Sequence, residues 1–379
     1  MTARLPIFSA ATGAAATDPA PRRVGQDQPS AYAALPAELA ALGFRNPEHA
    51  FGQLQRAWAW RAGAPLLGRD DRALAAALSL TLPRLVSQSS AEDGSTKLLF
   101  ELSGPERGRA SHATEQGRSS HAADRVEAVH MPRAGRVTLC ISSQVGCAMG
   151  CTFCATASMG FGRHLLAHEI IGQVLVAMHE LGPRHPGDLT LVFMGMGEPL
   201  HNLSQVARAI GVLCHPAGLG LSARRITVST SGLVPEMAEL RALEPRPLLA
   251  ISVNATTDEQ RAALMPIGKR YPLSELRAAL ERFPLRPRER ITVEYVLLAG
   301  VNDSLEDARR LAQFCAGFPH QINLIPFNEH RLSEFRAPSE AVVDAFARAI
   351  LAERRTVLTV RRSRGRDVGA ACGQLVLDA

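Results

Sequence analysis

No stretch of this 379-residue chain approaches the length of apolar sequence needed to span a bilayer, so the sequence offers no candidate membrane helix. Cysteine is too scarce for a disulfide scaffold. There are seven, an odd number, and three crowd into one short segment, which is the usage of a reducing compartment with thiol chemistry. A strong excess of one charge is also missing. Forty-two Lys and Arg stand against 36 Asp and Glu, a formal net charge of +6. The pI near 9.2 permits an anionic partner such as RNA without requiring one. Residues 1–30 lack periodicity and are rich in Ala, Pro, Thr and Asp, as in a disordered tail. Arg4, Arg22 and Arg23 suit a transit peptide, but Ser is sparse and Asp18 comes early, so a plain tail and a cytoplasmic location are the expectation.

The length suffices for one large domain and a smaller one. The expected division is a tail (1–30), a helical accessory module (31–90), a strand–loop–strand extension (91–134) and an α/β domain with a C-terminal cysteine loop (135–379). In the module, Leu35, Leu39, Leu42, Phe44, Phe51, Leu54, Trp58 and Trp60 mark apolar positions, and Pro36 and Gly43 suit a helix start and end. Both tryptophans are expected in its core. Residues 104–124 are rich in Gly, Ser, Arg and His and read as a flexible loop, with His112 and His121 facing solvent. A strand carrying Glu127 follows, then a hairpin turn at Pro132–Gly135 and a strand ending near Cys140.

From there strands and helices alternate. Strands are expected at Asp188–Met194, Arg225–Thr230, Leu248–Asn254, Arg290–Leu298, Gln321–Phe327 and Val357–Arg361. Helices are expected at Ala167–Leu181, Leu203–Cys214, Val234–Ala242, Leu273–Phe283, Leu305–Gly317 and Ser339–Arg354. Repeated β-α units imply a parallel sheet with helical crossovers, here an α/β partial (β/α)6 barrel whose ligands sit at the carboxyl ends of the strands.

Cys147-Ala-Met-Gly-Cys151-Thr-Phe-Cys154 occupies the loop after the strand that ends near Cys140. Three thiolates at this spacing can grip three irons of a 4Fe-4S cluster and leave the fourth open. A structural zinc is the rival, but it wants a fourth ligand, and only Cys140 and His164 are near. Buried free thiols are the plainest reading. One β-α unit later stands Gly195-Met-Gly-Glu-Pro199, whose glycines permit close backbone approach and whose carboxylate can accept hydrogen bonds from an ammonium. Ser229, Ser252-Val253-Asn254 and Asn328 are polar tips at the ends of later apolar strands. Each alone is equally a cap or turn residue; their recurrence on successive units is informative. Cys372, flanked by Gly and Ala, reads as a thiol on mobile backbone near the barrel mouth, or as an inert small residue. Arg361, Arg362, Arg364 and Arg366, with Arg354 and Arg355 upstream, form either a phosphate-binding patch or a solvated basic end.

Taken together, the cysteine segment with Cys140-Ile-Ser-Ser-Gln-Val-Gly before it, Gly195–Pro199, Ser229–Gly232, Met265-Pro-Ile, Asn323–Asn328 and Ala370–Leu375 resemble the radical S-adenosylmethionine (SAM) RNA methyltransferases that act on ring carbons of adenine. The resemblance implies a 4Fe-4S cluster on Cys147, Cys151 and Cys154, with SAM lined by Gly197, Glu198, Ser229, Ser252, Val253, Asn254 and Asn328. It implies that Cys372 is methylated by one SAM, and that a second SAM yields a 5′-deoxyadenosyl radical that activates this methyl. Glu127 then removes the ring proton, and Cys140 attacks Cys372 to release product as a disulfide forms. Expected substrates are carbon 2 of an adenosine in 23S rRNA, and tRNA. The carbon 8 branch and other radical SAM reactions stay open as alternatives. An electron donor such as flavodoxin or ferredoxin is expected, and a monomer. Where that family shows Ser-Leu-His, this chain has Ser252-Val253-Asn254, and Asn can still hydrogen-bond.

Overall fold

The computed structural model describes residues 30–56, 81–102, 124–183, 185–353 and 356–377. The tail, Trp58, Trp60, His112, His121, Arg354 and Arg355 lie outside the described residues.

Two short helices, α1 (Pro36–Ala41) and α2 (Pro47–Gln55), open the described chain, each with proline in its first turn. Tyr32, Leu39, Phe51 and Leu54 are buried in the same apolar core as the main sheet. The expected helical stretch does not reach residue 90. β1 (Arg84–Ser90) is a strand, paired antiparallel with β2 (Thr96–Glu101) across a tight turn. β3 (Arg125–Arg133) and β4 (Arg136–Cys140) continue the meander. They are joined at Ala134 and Gly135, both with positive φ (41° and 78°), the backbone that a two-residue hairpin turn requires.

β4 then starts the parallel part. After a small hairpin of β5 (Gln144–Gly146) and β6 (Phe161–His164), with the one-turn α3 (Ala155–Ser158) between, come α4 (Ala167–Leu181), β7 (Leu189–Phe193), α5 (Leu203–Cys214), β8 (Ile226–Thr230) and α6 (Val234–Leu240). β9 (Leu248–Ser252), α7 (Asp258–Leu264), α8 (Leu273–Glu281), β10 (Ile291–Leu297), α9 (Leu305–Phe314), β11 (His320–Pro326), α10 (Glu340–Glu353) and β12 (Val357–Val360) complete it. The ten-stranded sheet runs β1-β2-β3-β4-β7-β8-β9-β10-β11-β12. Every pair from β4 onward is parallel. The six strands from β4 to β11 are each followed by helix, as the six expected units require, and β12 adds a parallel edge strand. The sheet is an open arc, a partial barrel. Its inner strands read almost continuously apolar, for example Leu189-Thr-Leu-Val-Phe193, because helices and the cavity side cover both faces.

Two helix starts show how local sequence sets these boundaries. Ser304 accepts from the Asp307 amide at 3.0 Å while Asp307 reaches back to the Ser304 amide, a reciprocal cap for α9. Thr257 caps α7 through the Gln260 amide at 3.2 Å. Sequence periodicity had not shown α7, since Asp258-Glu-Gln-Arg-Ala-Ala-Leu264 is short and mostly polar.

Candidate functional site

The cysteine loop hangs from the carboxyl end of β4 and is pinned on three sides. The Cys147 amide donates to the Gly160 carbonyl at 2.8 Å, Thr152 to Leu264 at 3.0 Å, and Ala155 to Gly373 at 2.8 Å. The entry to the loop requires glycine: Gly146 has φ +71°, and a Cβ there would lie 2.0 Å from the Gly160 oxygen. Cys147, Cys151 and Cys154 line one cavity together with Gly197, Glu198, Ser229, Ser252, Asn254, Glu294 and Cys372.

The three thiols fit a cationic cluster better than they fit one another. Burial pushes Cys147 up to about 12, Cys151 well above the ordinary thiol range and Cys154 upward, and each also feels at least one neighbouring thiolate. Bound iron reverses this balance by taking the thiolates directly. The zinc reading lacks its fourth ligand: His164 Nδ1 meets Gln144 Nε2 at 3.1 Å, and Cys140 lines a neighbouring cavity. Among the described residues, no three His, Cys, Asp or Glu side chains converge closely enough for a single ion. A cluster makes no such demand, because each thiolate takes its own iron.

Glu198 lines the same cavity as the three thiols. Gly197, at φ +99°, lets the chain pass so close to Gln144 that a Cβ would sit 2.5 Å from the Gln144 Cβ. The Glu198 carboxylate accepts from the amides of Leu200 (3.0 Å) and Ser231 (2.7 Å). Burial raises its pKa, and these hydrogen bonds oppose the rise. It is therefore a fixed, desolvated acceptor suited to an ammonium group.

The remaining expected SAM contacts divide. Ser229 and Ser252 line the cavity, with Ser229 Oγ donating to Glu294 at 3.0 Å. Asn254 lines it too, at φ +54°, but its side-chain oxygen takes the Val296 amide at 2.8 Å. Val253 is buried outside the cavity wall, its amide bound to the Glu294 carbonyl. Asn328 is also absent from that wall: its amide donates to the Cys372 carbonyl and to Ser363 Oγ, both at 3.0 Å. Its placement makes it an anchor of the Cys372 loop.

That loop is tied to the rest of the chain by hydrogen bonds. Gly365 donates to Asp93 (2.9 Å), Glu92 to Asp367 (3.0 Å), Thr156 to the Leu375 carbonyl (2.6 Å) and Gln374 to the Glu329 carbonyl (2.8 Å). Cys372 belongs to two walls at once. One is the cavity of the three cysteines. The other is a small neighbouring cavity lined by Cys140, Met194, Arg361 and Ser363. All seven cysteines are free thiols. Burial, then the Cys372 charge, pushes Cys140 up to about 12, whereas the Arg361 charge favours its thiolate.

Glu127 is buried on β3, its carboxylate 3.0 Å from Lys97 Nζ, and it lines neither cavity. The arginine patch divides: Arg361 and Arg364 are half-buried and bound to the protein, whereas Arg362 and Arg366 are exposed. Arg361 lies 3.7 Å from Glu294, Arg362 pairs with Glu340 at 2.7 Å, and Arg364 binds the carbonyls of Pro132 and Asp93. Sequence reasoning missed Glu294, a buried carboxylate between Ser229 and Arg361. The one signal was an acid inside the apolar run Ile291-Thr-Val-Glu-Tyr-Val-Leu297. Arg261 was missed with its helix; it is fully buried, and desolvation pushes it down to about 10.

Residues 141–312 match the family described as the radical SAM superfamily. The dual-specificity RNA methyltransferase RlmN of Pelobacter propionicus is 51% identical over 250 residues, covering 66% of this chain and 70% of the relative. RlmN of Syntrophobacter fumaroxidans is 44% identical over 330 residues, covering 87% and 90%. A solved radical SAM methyltransferase from Sphaerobacter thermophilus superposes with a TM-score of 0.78 at 37% identity, covering 92% of this chain and 99% of that one.

Proposed function

The chain belongs to the RlmN family of dual-specificity RNA methyltransferases, and on that footing we propose that it methylates carbon 2 of an adenosine in 23S rRNA, and in tRNA, with Cys372 as the methyl carrier. As a radical SAM chain it works with a 4Fe-4S cluster and SAM. Cys147, Cys151 and Cys154 would hold the cluster, and Gly197, Glu198, Ser229 and Ser252 would line SAM. When bound, these cofactors supply the electron, the methyl group and the radical reactivity that lets a carbon centre add to an electrophilic ring carbon, with two SAM used per turnover.

The protein's part is to carry, hold and cut. The single observation that supports the carrier role is that Cys372 lies in the wall between the three-cysteine cavity and the Cys140 cavity. A methyl group on its sulfur would stand beside the first, while its sulfur stays within the second. After the carbon joins adenine, the base remains tethered through a thioether. Attack of the Cys140 thiolate on the Cys372 sulfur forms a disulfide and breaks the carbon–sulfur bond, whose electron pair leaves with the carbon, and that carbon takes up a proton to become the methyl group. Burial keeps Cys140 protonated, and Arg361 is the neighbour whose charge favours its thiolate. Glu127 is the base assigned to the ring proton, its carboxylate held beside Lys97. Flavodoxin or ferredoxin would supply electrons to a cytoplasmic monomer. Among the described residues no helix is long and apolar enough to cross a membrane.

The carrier mechanism has a direct test. Cys140→Ala should accumulate a covalent RNA adduct at Cys372, seen on a denaturing gel as a ribonuclease-sensitive band. Cys140→Ala combined with Cys372→Ala should show none. Normal methylation by Cys140→Ala with no adduct would overturn the two-cysteine mechanism.

A further inference from the structure

Arg261 heads the fully buried side chains by size among the described residues. Its guanidinium donates to two main-chain carbonyls, Ser231 at 2.6 Å and Tyr271 at 3.2 Å. Among the described residues no carboxylate forms an ion pair with it, and its Nε has no acceptor. Bringing an ion out of water is costly, and a neutral donor could bridge two carbonyls without that cost. The charge itself needs an account.

What the charge faces is the cysteine loop. α7, which carries Arg261, ends at Leu264, whose carbonyl takes the Thr152 amide at 3.0 Å. Gly150 packs on Pro266 just beyond, within 3.6 Å of where its Cβ would stand. Phe153, Leu264 and Met265 share one apolar cluster, with Cys151 and Cys154 packed against it. Ser231, whose carbonyl takes the guanidinium at 2.6 Å, and Met265, whose amide donates to the Arg261 carbonyl at 2.7 Å, both line the three-cysteine cavity. Ser231 gives its own amide to Glu198. The guanidinium is thus locked behind the wall where three thiolates would gather.

We propose that Arg261 is a fixed buried positive charge that favours one-electron reduction of the cluster held by Cys147, Cys151 and Cys154. The inference rests on that cluster assignment. On reduction the cluster gains one negative charge, no bond is made or broken at Arg261, and the electron comes from an external reductant. In a low-dielectric interior a nearby cation favours the more negative state, and net charge near a cluster is one of the levers that set its potential. Arg261 acts through the cluster and touches no reacting atom.

The test is the midpoint potential of the reconstituted full chain, titrated with dithionite without SAM or RNA and followed by electron paramagnetic resonance. Arg261→Gln should lower the equilibrium constant for reduction tenfold or more, a shift of about 60 mV to more negative potential. Arg261→Lys keeps the charge and should stay within threefold of the unaltered chain. A glutamine variant with full iron content and a potential within threefold of the unaltered chain overturns the proposal. If the glutamine variant binds no iron, the lysine variant decides: within threefold supports the proposal, and a tenfold fall overturns it. If neither variant binds iron, Arg261 serves the fold alone and the proposal is overturned. Failure of the unaltered chain to bind iron would instead remove the cluster assignment.

Discussion

Glu198 carries a sharp expectation at the scale of one residue. Its carboxylate must be ionised to hold an ammonium, yet burial raises its pKa above the ordinary value of 4.5. The sign follows directly. The acid form takes over at a higher pH than for an exposed glutamate, so SAM binding should weaken as pH falls from neutrality through that raised value. Glu198→Gln should lose this acid limb. It should also weaken SAM binding at neutral pH by about 1.5–3 kcal/mol, the cost of a lost charged hydrogen bond, roughly tenfold to a hundredfold in Kd. Equilibrium binding of SAM across pH checks both. Unchanged affinity in the variant would take Glu198 out of the ammonium site. Glu198 was legible in the sequence because it sits in Gly-Met-Gly-Glu-Pro at a strand end. Asn328 also sits at a strand end, yet its side chain turns toward Cys372. A strand-end position says which rim a residue occupies, but not which neighbour its side chain meets.

At the scale of elements, α4 shows two effects in competition. Gly172 lies mid-helix, where alanine is the better helix former by about 1 kcal/mol. A Cβ there would stand 2.2 Å from Pro83 Cδ, on the chain entering β1. Overpacking of that kind costs about 1–3 kcal/mol, so the clash should win. Gly172→Ala is expected to lower the denaturant midpoint of the protein despite improving helix propensity; an unchanged or raised midpoint would mean that Pro83 yields freely. Apart from α7, the helices and strands from Ala167 onward were readable because their periodicities are long and clean. α4 and α5 span the residues expected, and the strands differ only at their ends. The hairpin of β5 and β6 was not readable, because strands of three and four residues carry no period. β1 was taken into the helical module, whose expected bounds were 31–90, because its Arg84-Leu-Val-Ser-Gln-Ser-Ser90 run is mostly polar and shows little strand alternation.

For the molecule as a whole, the hardest features to read were contacts that close the chain on itself. The Cys372 loop looked free in sequence because its anchors are remote. Asp93 takes the Gly365 amide from 272 residues away, and Asn328 reaches the Cys372 carbonyl across 44. The same closure draws in Arg364, which fastens the loop to Asp93 and Pro132. The molecule is therefore a sheet whose first hairpin and last loop meet beside Cys140, with Cys372 between two cavities. The central claim, an adenine carbon methylated by way of Cys372, is tested most directly by mass spectrometry of digested rRNA and tRNA. The cells should lack their own copy of this activity and express either the unaltered chain or Cys372→Ala. The account predicts 2-methyladenosine with the unaltered chain and none with Cys372→Ala. Methylation at carbon 8, or 2-methyladenosine that persists with Cys372→Ala, would contradict it.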